Sequence, residues 1–528
     1  MKNNLYSELW KSQNWKKFRQ NLFRLQHRIW KASRVGDNVR VRNLQKLVLR
    51  SVAARMLAVH QVTQLNKGKK TAGIDGKKNL SFKQRFELIE LLQKYVFNWK
   101  HQGLRECPIP KADGTKRILK MPTINDRAWQ CLIKYAIEPA HEAHFHERSY
   151  GFRPGRSAHD CQKMLFIKLN SQARGYRKYI LEMDIAKCFD NIDQKDLLKR
   201  VQCPKSIEMC LWRCFKAGVN PDVFKDYEES FGVPQGGVLS PLLANISLDG
   251  IEKLGNCIRY ADDLVFIIDP KKYKSFESIG DITRTIQMEV QSFLQIRGLE
   301  TKPSKTRLVH STDGFDFLGW HFYVQKNNSK FRSVPSEKNF KAFKKKVKFI
   351  VNNSTYGAKV KAEKLSSVVR GWRNYHRHCQ MDGSRFSLWD IDERTRKVFI
   401  KEKKVNKHMA VKLVNKAFPK VSWSENRHIN VEGKRSPFDG DIVYWSKRNS
   451  KLYDGITAKA LKRQDHRCEH CGLAFVDDEK VELHHKDGNH NNWNWRNLKA
   501  VHRSCHQSIH MSKDEITESK MDYINNPF

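Results

Sequence analysis

The stretch Cys257-Ile258-Arg259-Tyr260-Ala261-Asp262-Asp263-Leu264-Val265-Phe266-Ile267-Ile268 sets two adjacent carboxylates between two short apolar runs. Both runs are rich in β-branched and aromatic residues, so they read as buried strands with Asp262 and Asp263 at the turn of a hairpin. Two neighbouring anions where a sheet excludes water need a cation, and Mg²⁺ with oxygen ligands is the common solution when phosphates are the substrate. A lone Asp-Asp pair is most often a solvated turn. A third carboxylate shifts the balance: Tyr179-Ile180-Leu181-Glu182-Met183-Asp184 is another strand-like run, ending in Asp184, 78 residues before Asp262.

Three carboxylates at strand ends can hold two metal ions about 4 Å apart, which activate a 3′-hydroxyl and stabilise a leaving pyrophosphate. That is the chemistry of nucleotide polymerisation. Further stretches stand around these blocks: Gly114-Thr115-Lys116-Arg117 with Met121-Pro122-Thr123, Ser149-Tyr150-Gly151-Phe152-Arg153-Pro154-Gly155-Arg156-Ser157, Gly232-Val233-Pro234-Gln235-Gly236-Gly237-Val238-Leu239-Ser240-Pro241-Leu242-Leu243-Ala244-Asn245-Ile246, Lys302-Pro303-Ser304-Lys305-Thr306 and Phe317-Leu318-Gly319-Trp320. In this order, across about residues 70 to 325, the set resembles the group II intron-encoded reverse transcriptases.

The resemblance implies right-hand fingers and palm followed by an α-helical thumb, and DNA synthesis on an RNA template. Asp184, Asp262 and Asp263 would bind two Mg²⁺ ions. Lys116, Arg117 and Arg153 would be counter-charges to the triphosphate of an incoming deoxynucleotide, with the Ile185 backbone beside it. Gln235 and Lys305 fall at positions that meet the nucleotide, and Phe189 falls where the family places an aromatic that blocks a ribose 2′-hydroxyl. The plainer alternatives are a structural turn at Gln235-Gly236-Gly237 and core packing for Phe189. Ser240-Pro241 reads as a helix N-cap followed by proline at the first helical position.

Lys and Arg number 99 against 56 Asp and Glu, a net charge of +43 spread over all 528 residues. Such an excess favours an extended phosphate-binding surface over a targeting signal. No run of 18 or more apolar residues exists, so nucleic acid is a better partner than a membrane. At 39% apolar composition the chain can build several packed cores. Nine of the twelve cysteines lie irregularly between Cys107 and Cys379, mostly in apolar runs, and read as free thiols in a reducing cytoplasm.

The whole reads as an α+β multidomain chain. Residues 1–65, with Trp10, Trp15, Phe18, Leu22, Ile29 and Trp30 near helical spacing among Lys and Arg, form a basic helical N-terminal extension. Residues 66–325 make the fingers and palm. Residues 326–400 make the thumb, where Leu365, Val368, Val369, Trp372 and Tyr375 form an apolar stripe and Arg370-Gly371-Trp372-Arg373-Asn374-Tyr375 resembles the family's maturase region. Residues 401–455, with scattered bases Lys434, Arg435, Lys447, Arg448 and Lys451, read as a connector that binds DNA.

Residues 456–528 hold a second chemistry. Cys468-x2-Cys471 and His502-x2-Cys505 have the spacing of a tetrahedral structural Zn²⁺ site. Between and after them stand Leu483-His484-His485-Lys486-Asp487-Gly488, Asn497-Leu498 and His506-x3-His510. These resemble an HNH endonuclease, a ββα module. By that resemblance His484 and His506, with His510 as a third ligand, would hold a divalent ion such as Mg²⁺ or Mn²⁺, His485 would be the general base and Asn497 would orient it. The family often has cysteine where His502 stands. Trp493 and Trp495 read as core of this small module.

The combined expectation is a protein that binds its group II intron RNA, helps it splice, nicks target DNA and copies the intron from the new 3′-end. Two alternatives belong to other classes: a stand-alone defence or diversity-generating reverse transcriptase, and an RNA-binding maturase that acts only in splicing. The appended module and basic thumb stand against the first, the three intact aspartates against the second.

Overall fold

A computed structural model of the chain describes residues 2–110, 114, 116–218, 232–381, 384–402, 405–421, 423–453, 455–476, 481–490 and 492–510. Thr115 and residues 511–528, the end of the expected metal module, lie outside the described residues.

Helix Trp15–Arg34 shows why the N-terminal run is helical. Asn14 caps it by accepting from Lys17 N at 3.0 Å, and Leu22, Gln26, Ile29, Ala32 and Ser33 recur on its buried face. That face packs on helices Asn38–Arg50 and Ile124–Glu142. One apolar cluster consequently runs from Trp10, Leu22 and Ile29 to Leu181, Phe189 and Leu264, so the N-terminal helices share a core with the palm.

Strands β1 (Arg105–Pro110) and β2 (Lys116–Met121) pair as an antiparallel hairpin. Strands β3 (Tyr179–Asp184), β4 (Cys257–Tyr260), β5 (Asp263–Ile268) and β6 (Arg307–His310) form an antiparallel sheet in the order β4-β5-β3-β6. Both faces of this sheet are covered. Leu181, Met183, Leu264 and Phe266 belong to the cluster just described, while Ile180, Val265 and Ile267 point the other way, into a cluster with Leu165, Trp320 and Phe322. Two buried faces explain why β5 reads as a continuous apolar run. Strands β7 (Phe315–Phe317), β8 (Trp320–Val324) and β9 (Phe331–Pro335) follow as a separate antiparallel ribbon. Strands β10 (Val481–His485) and β11 (Leu498–His502) pair antiparallel, and residues 503–510 are helical, giving the C-terminal module a ββα order.

Tyr260 pairs with Asp263, so Ala261 and Asp262 alone make the turn, and Ala261 takes a φ of +56°. An L-residue there costs roughly 1–2 kcal/mol and needs support. The support is close backbone contact: a Cβ added to Gly151 would lie 2.3 Å from Ala261 N, and Tyr150 N donates to Arg259 O at 3.0 Å.

Ser240 departs from the expectation. It is the first residue of helix Ser240–Leu248 rather than its cap, because its hydroxyl donates to Pro234 O at 2.6 Å and so ties down the glycine turn instead.

Candidate functional site

The register sets Asp184 opposite Asp263, with Asp262 in the adjoining turn. The protein packed around them and the charge of Asp184 push Asp262 up, and burial with the charges of Asp262 and Asp184 pushes Asp263 to about 6. Lys305 forms an ion pair with Asp184, and that bond raises its own pKa. Arg117 places a second positive charge toward Asp262. Three crowded carboxylates, of which Asp262 and Asp263 resist ionisation, form an all-oxygen donor set, which fits hard divalent cations. Their oxygens are not drawn into one tight cluster: among the described residues, three or more His, Cys, Asp or Glu ligand atoms meet within 4.8 Å in two places, both in the C-terminal module. A cleft of about 290 Å³ opens beside Asp184 and Asp263, lined also by Glu182, Ser304, Lys305 and Arg307. Glu182, raised to about 7 by burial, was legible only through strand alternation, since it stands two residues before Asp184.

Arg117 Nε donates to Gln235 Oε1 at 2.7 Å and Lys120 N donates to Gln235 O at 2.7 Å, so β2 and the glycine turn close on each other near the aspartates. Lys116 is exposed on the same strand. Ile185 is buried and bridges to Thr301, while Ala186 N donates to Glu300 O at 2.9 Å. Phe189 is buried in the main cluster, and its carbonyl accepts from Val233 N at 2.6 Å.

Arg153 is a correction. Its side chain is 1% exposed, and Nε and Nη2 each donate to the Glu142 carboxylate at 2.9 Å. Nη1 donates to the carbonyls of His146 and Ser149. With its donors engaged inside the protein it anchors a loop and does not meet a triphosphate. Removing one partner of such a pair costs about 3–5 kcal/mol.

Arg259 is the residue that sequence reading missed. Fully buried, it donates to Glu252 Oε1 at 2.5 Å, Asn245 Oδ1 at 2.8 Å, Ser149 Oγ at 2.6 Å and Ala261 O at 3.1 Å. It therefore holds the turn between the aspartates. No local signal marks it, because Ser149 lies 110 residues away.

In the C-terminal module the ligand atoms of Cys468, Cys471, His502 and Cys505 all lie within 4.8 Å of one another, and all four residues are buried. Tetrahedral bonds of about 2.3 Å to sulfur and 2.0 Å to nitrogen set ligand atoms about 3.5–3.8 Å apart, so this cluster fits one such ion. Cys471 Sγ lies 3.4 Å from His502 Nδ1. A second cluster joins His484, His506 and His510. His506 Nδ1 donates to Glu482 Oε2 at 2.7 Å, which turns His506 Nε2 toward His510 Nε2 at 3.0 Å. A carboxylate behind a ligating histidine is a common support, and sequence reading had passed over Glu482. His485 is buried, with Nε2 unpaired among the described residues, and burial together with the charge of His490 lowers its pKa.

Two expectations in this module need correction. Asn497 does not orient His485: its amide donates to Asp487 Oδ1 at 2.9 Å and Asn492 O at 3.0 Å and its oxygen accepts from Asp487 N, so it shapes the loop after His485. Trp493 and Trp495 are not core, being 51% and 42% exposed. The core is instead built from Ala460, Leu461, Phe475, Ala500 and Val501 around the thiols. The module also touches the N-terminal helices, where Arg19 donates to Ser504 Oγ at 2.5 Å and Cys505 Sγ at 3.3 Å.

Three segments of the chain match known families. Residues 10–92 match the N-terminal domain of reverse transcriptase, residues 109–322 the reverse transcriptase (RNA-dependent DNA polymerase), and residues 340–416 the group II intron maturase-specific domain. Maturase-like protein 1 of Euglena gracilis is 35% identical over 422 residues, 79% of this chain and 89% of that protein. The chain belongs to the group II intron reverse transcriptase/maturase family. The group II intron-encoded protein LtrA of Lactococcus lactis subsp. cremoris is 34% identical over 196 residues, 36% of this chain and 31% of LtrA. Protein YkfC of Escherichia coli is 30% identical over 313 residues, 51% of this chain and 80% of that protein.

The maturase-specific match of this reverse transcriptase/maturase reaches residue 416, into the region read as connector. Helix Lys407–Ala417 packs there with helices Glu337–Asn352, Ala358–Tyr375 and Trp389–Ile400 around Phe343, Val347, Leu365, Val369, Phe399 and Leu413. Lys338, Lys345, Lys346 and Lys348 line the exposed side of the first of these. Tyr375 leaves the expected stripe to stack on Trp320, with centroids 4.5 Å apart. Arg373 donates to Phe418 O and Pro419 O and is structural, whereas Arg370 is exposed. In the connector, Arg448 is buried against Asp160 at 2.9 Å, which His428 also meets at 3.1 Å, and Arg435 pairs with Asp441. Arg448 thus docks the connector on Asp160 and Arg435 is paired within the connector, while Lys434, Lys447 and Lys451 stay exposed. Among the described residues no helix is long and apolar enough to cross a membrane.

Proposed function

We infer that this family member binds its own intron RNA, assists splicing, nicks a DNA target through an HNH-type C-terminal module and extends the nicked strand into a DNA copy of the intron. The observation that carries the reading is a single chain with two donor sets of different chemistry. One is the carboxylate trio at the β3–β5 edge, the other the paired thiol and imidazole clusters of the module. The division into 1–65, 66–325, 326–400, 401–455 and 456–528 belongs to the same reading.

In the palm, Asp184, Asp262 and Asp263 would hold Mg²⁺ ions, which when bound would supply charge neutralisation at the leaving pyrophosphate and activation of the 3′-hydroxyl. Lys116, Arg117, Gln235 and Lys305 surround the deoxynucleotide, with the Ile185 backbone as one wall. Arg259 keeps the Asp262 turn in place. In the module, Cys468, Cys471, His502 and Cys505 would hold a structural Zn²⁺, His484, His506 and His510 would hold the divalent ion, and His485 would remove a proton from water. DNA rather than RNA synthesis rests on Phe189 closing the space a 2′-hydroxyl needs.

Competition between deoxy- and ribonucleotides in one extension reaction tests this. Phe189→Ala raises ribonucleotide incorporation relative to deoxynucleotide incorporation by about tenfold or more, after correction for the about 3–5 kcal/mol of stability that truncating a buried Phe removes. An unchanged ratio at a temperature where the variant stays folded means that Phe189 only packs.

A further inference from the structure

The two indoles that sequence reading assigned to the core stand on the surface, 51% and 42% exposed, in a chain whose small module already has a complete core without them. The loop that presents them is braced. Asp487 accepts from the side chains of Asn492 and Asn497, and Arg496 N donates to Asn494 Oδ1 at 3.1 Å. Arg463 fixes the backbone behind Trp495 by donating to the carbonyls of Trp495 and Leu498. The guanidinium carbons of Arg496 and Arg463 lie 5.4 and 5.6 Å from the Trp495 ring centre. The one carboxylate in the loop, Asp487, is thus engaged within it, and the two guanidinium groups lie on Trp495, two residues from Trp493.

A line of rings ties this surface to the histidine cluster. Trp493 lies 5.1 Å from His485, His485 lies 5.1 Å from His490, and His490 lies 6.0 Å from His510. A half-exposed aromatic ring in a braced loop that also carries an exposed arginine, Arg496, matches a nucleobase and a flanking phosphate, and only a base freed from its own stack can lie on it.

We propose that Trp493 is a stacking platform for an unpaired base of a DNA strand, with Arg496 on the flanking phosphate, next to the cluster of His484, His506 and His510. The choice of DNA rests on the nuclease reading of the module. The platform makes the site selective for a strand opened at the cleavage point over intact duplex.

The test uses the full chain and a short single-stranded DNA carrying one 5-iododeoxyuridine, which cross-links on irradiation to an aromatic ring stacked against it. The expected adduct maps to the peptide containing Trp493, persists in Trp493→Phe and in His485→Ala, and is lost in Trp493→Ala. Trp493→Ala also raises the KM for nicking an opened DNA about tenfold, with kcat little changed and zinc content unchanged. Adducts confined to the palm and thumb would overturn the proposal. So would cross-linking of the same duplex, or of RNA of the same sequence, as efficient as that of the single strand. Nicking that survives in His485→Ala while the Trp493 adduct remains removes the nuclease assignment and leaves the platform standing.

Discussion

Primer extension on an RNA template is expected to fall about a thousandfold when Asp262 is replaced by Asn. The substitution keeps the shape of the two-residue turn and the contacts of Ala261 with Gly151 and Arg259, but removes one of the three negative charges that gather at the strand edge. The charge of Asp184 raises the pKa of Asp262, and the charges of both raise that of Asp263, so deleting the Asp262 charge relieves repulsion. Stability should be unchanged or slightly higher, and RNA binding should survive. Extension rates with thermal melting and RNA affinity on the same preparation check all three. Extension near the parent rate would remove Asp262 from the metal site.

The second large effect separates the two clusters of the C-terminal module. Cys468→Ser takes a thiolate from a buried four-ligand site, and structural zinc contributes roughly 10–16 kcal/mol to the folding of small domains that depend on it. This variant should lose zinc, become protease-sensitive from about residue 455 onward and lose nicking. His485→Ala removes no ligand of either cluster; it should keep its zinc and its protease resistance and lose only nicking. Primer extension should persist in both, since the palm core is separate from the cluster around Cys468. Measuring zinc per chain, limited proteolysis, nicking and extension on both variants gives the comparison. Equal loss of zinc in the two would show that the ligands are divided wrongly.

The aspartate hairpin was legible because its cause is local: alternating burial along β3 and β5 and a tight turn leave a signature within a dozen residues. The cluster of Cys468, Cys471, His502 and Cys505 was legible for a similar reason, because two short pairs of metal-ligating residue types write their spacing into the chain. What the sequence did not reveal depends on how separate elements pack against one another. Arg153 looks like a phosphate ligand until Glu142, on another element, takes its guanidinium. Arg259 looks like an ordinary strand residue until Ser149, Asn245 and Glu252 converge on it. Arg448 and Arg435 count as free charge in composition, yet one is buried on Asp160 and the other paired with Asp441. The tryptophans erred in the opposite direction. Apolar character alone sent Trp493 and Trp495 inward, whereas the thiols and Phe475 had already filled the small interior.

Target-primed DNA synthesis on intact and on pre-nicked DNA, run side by side for the parent, Asp262→Asn and His485→Ala proteins with intron RNA as template, tests most directly whether one chain carries two independent active sites. The parent should make cDNA on both substrates. Asp262→Asn should nick intact DNA and make no cDNA on either, and His485→Ala should fail on intact DNA but recover synthesis on the pre-nicked substrate. If pre-nicking does not restore synthesis to His485→Ala, or if Asp262→Asn loses nicking, the two chemistries are not divided between the palm and the C-terminal module.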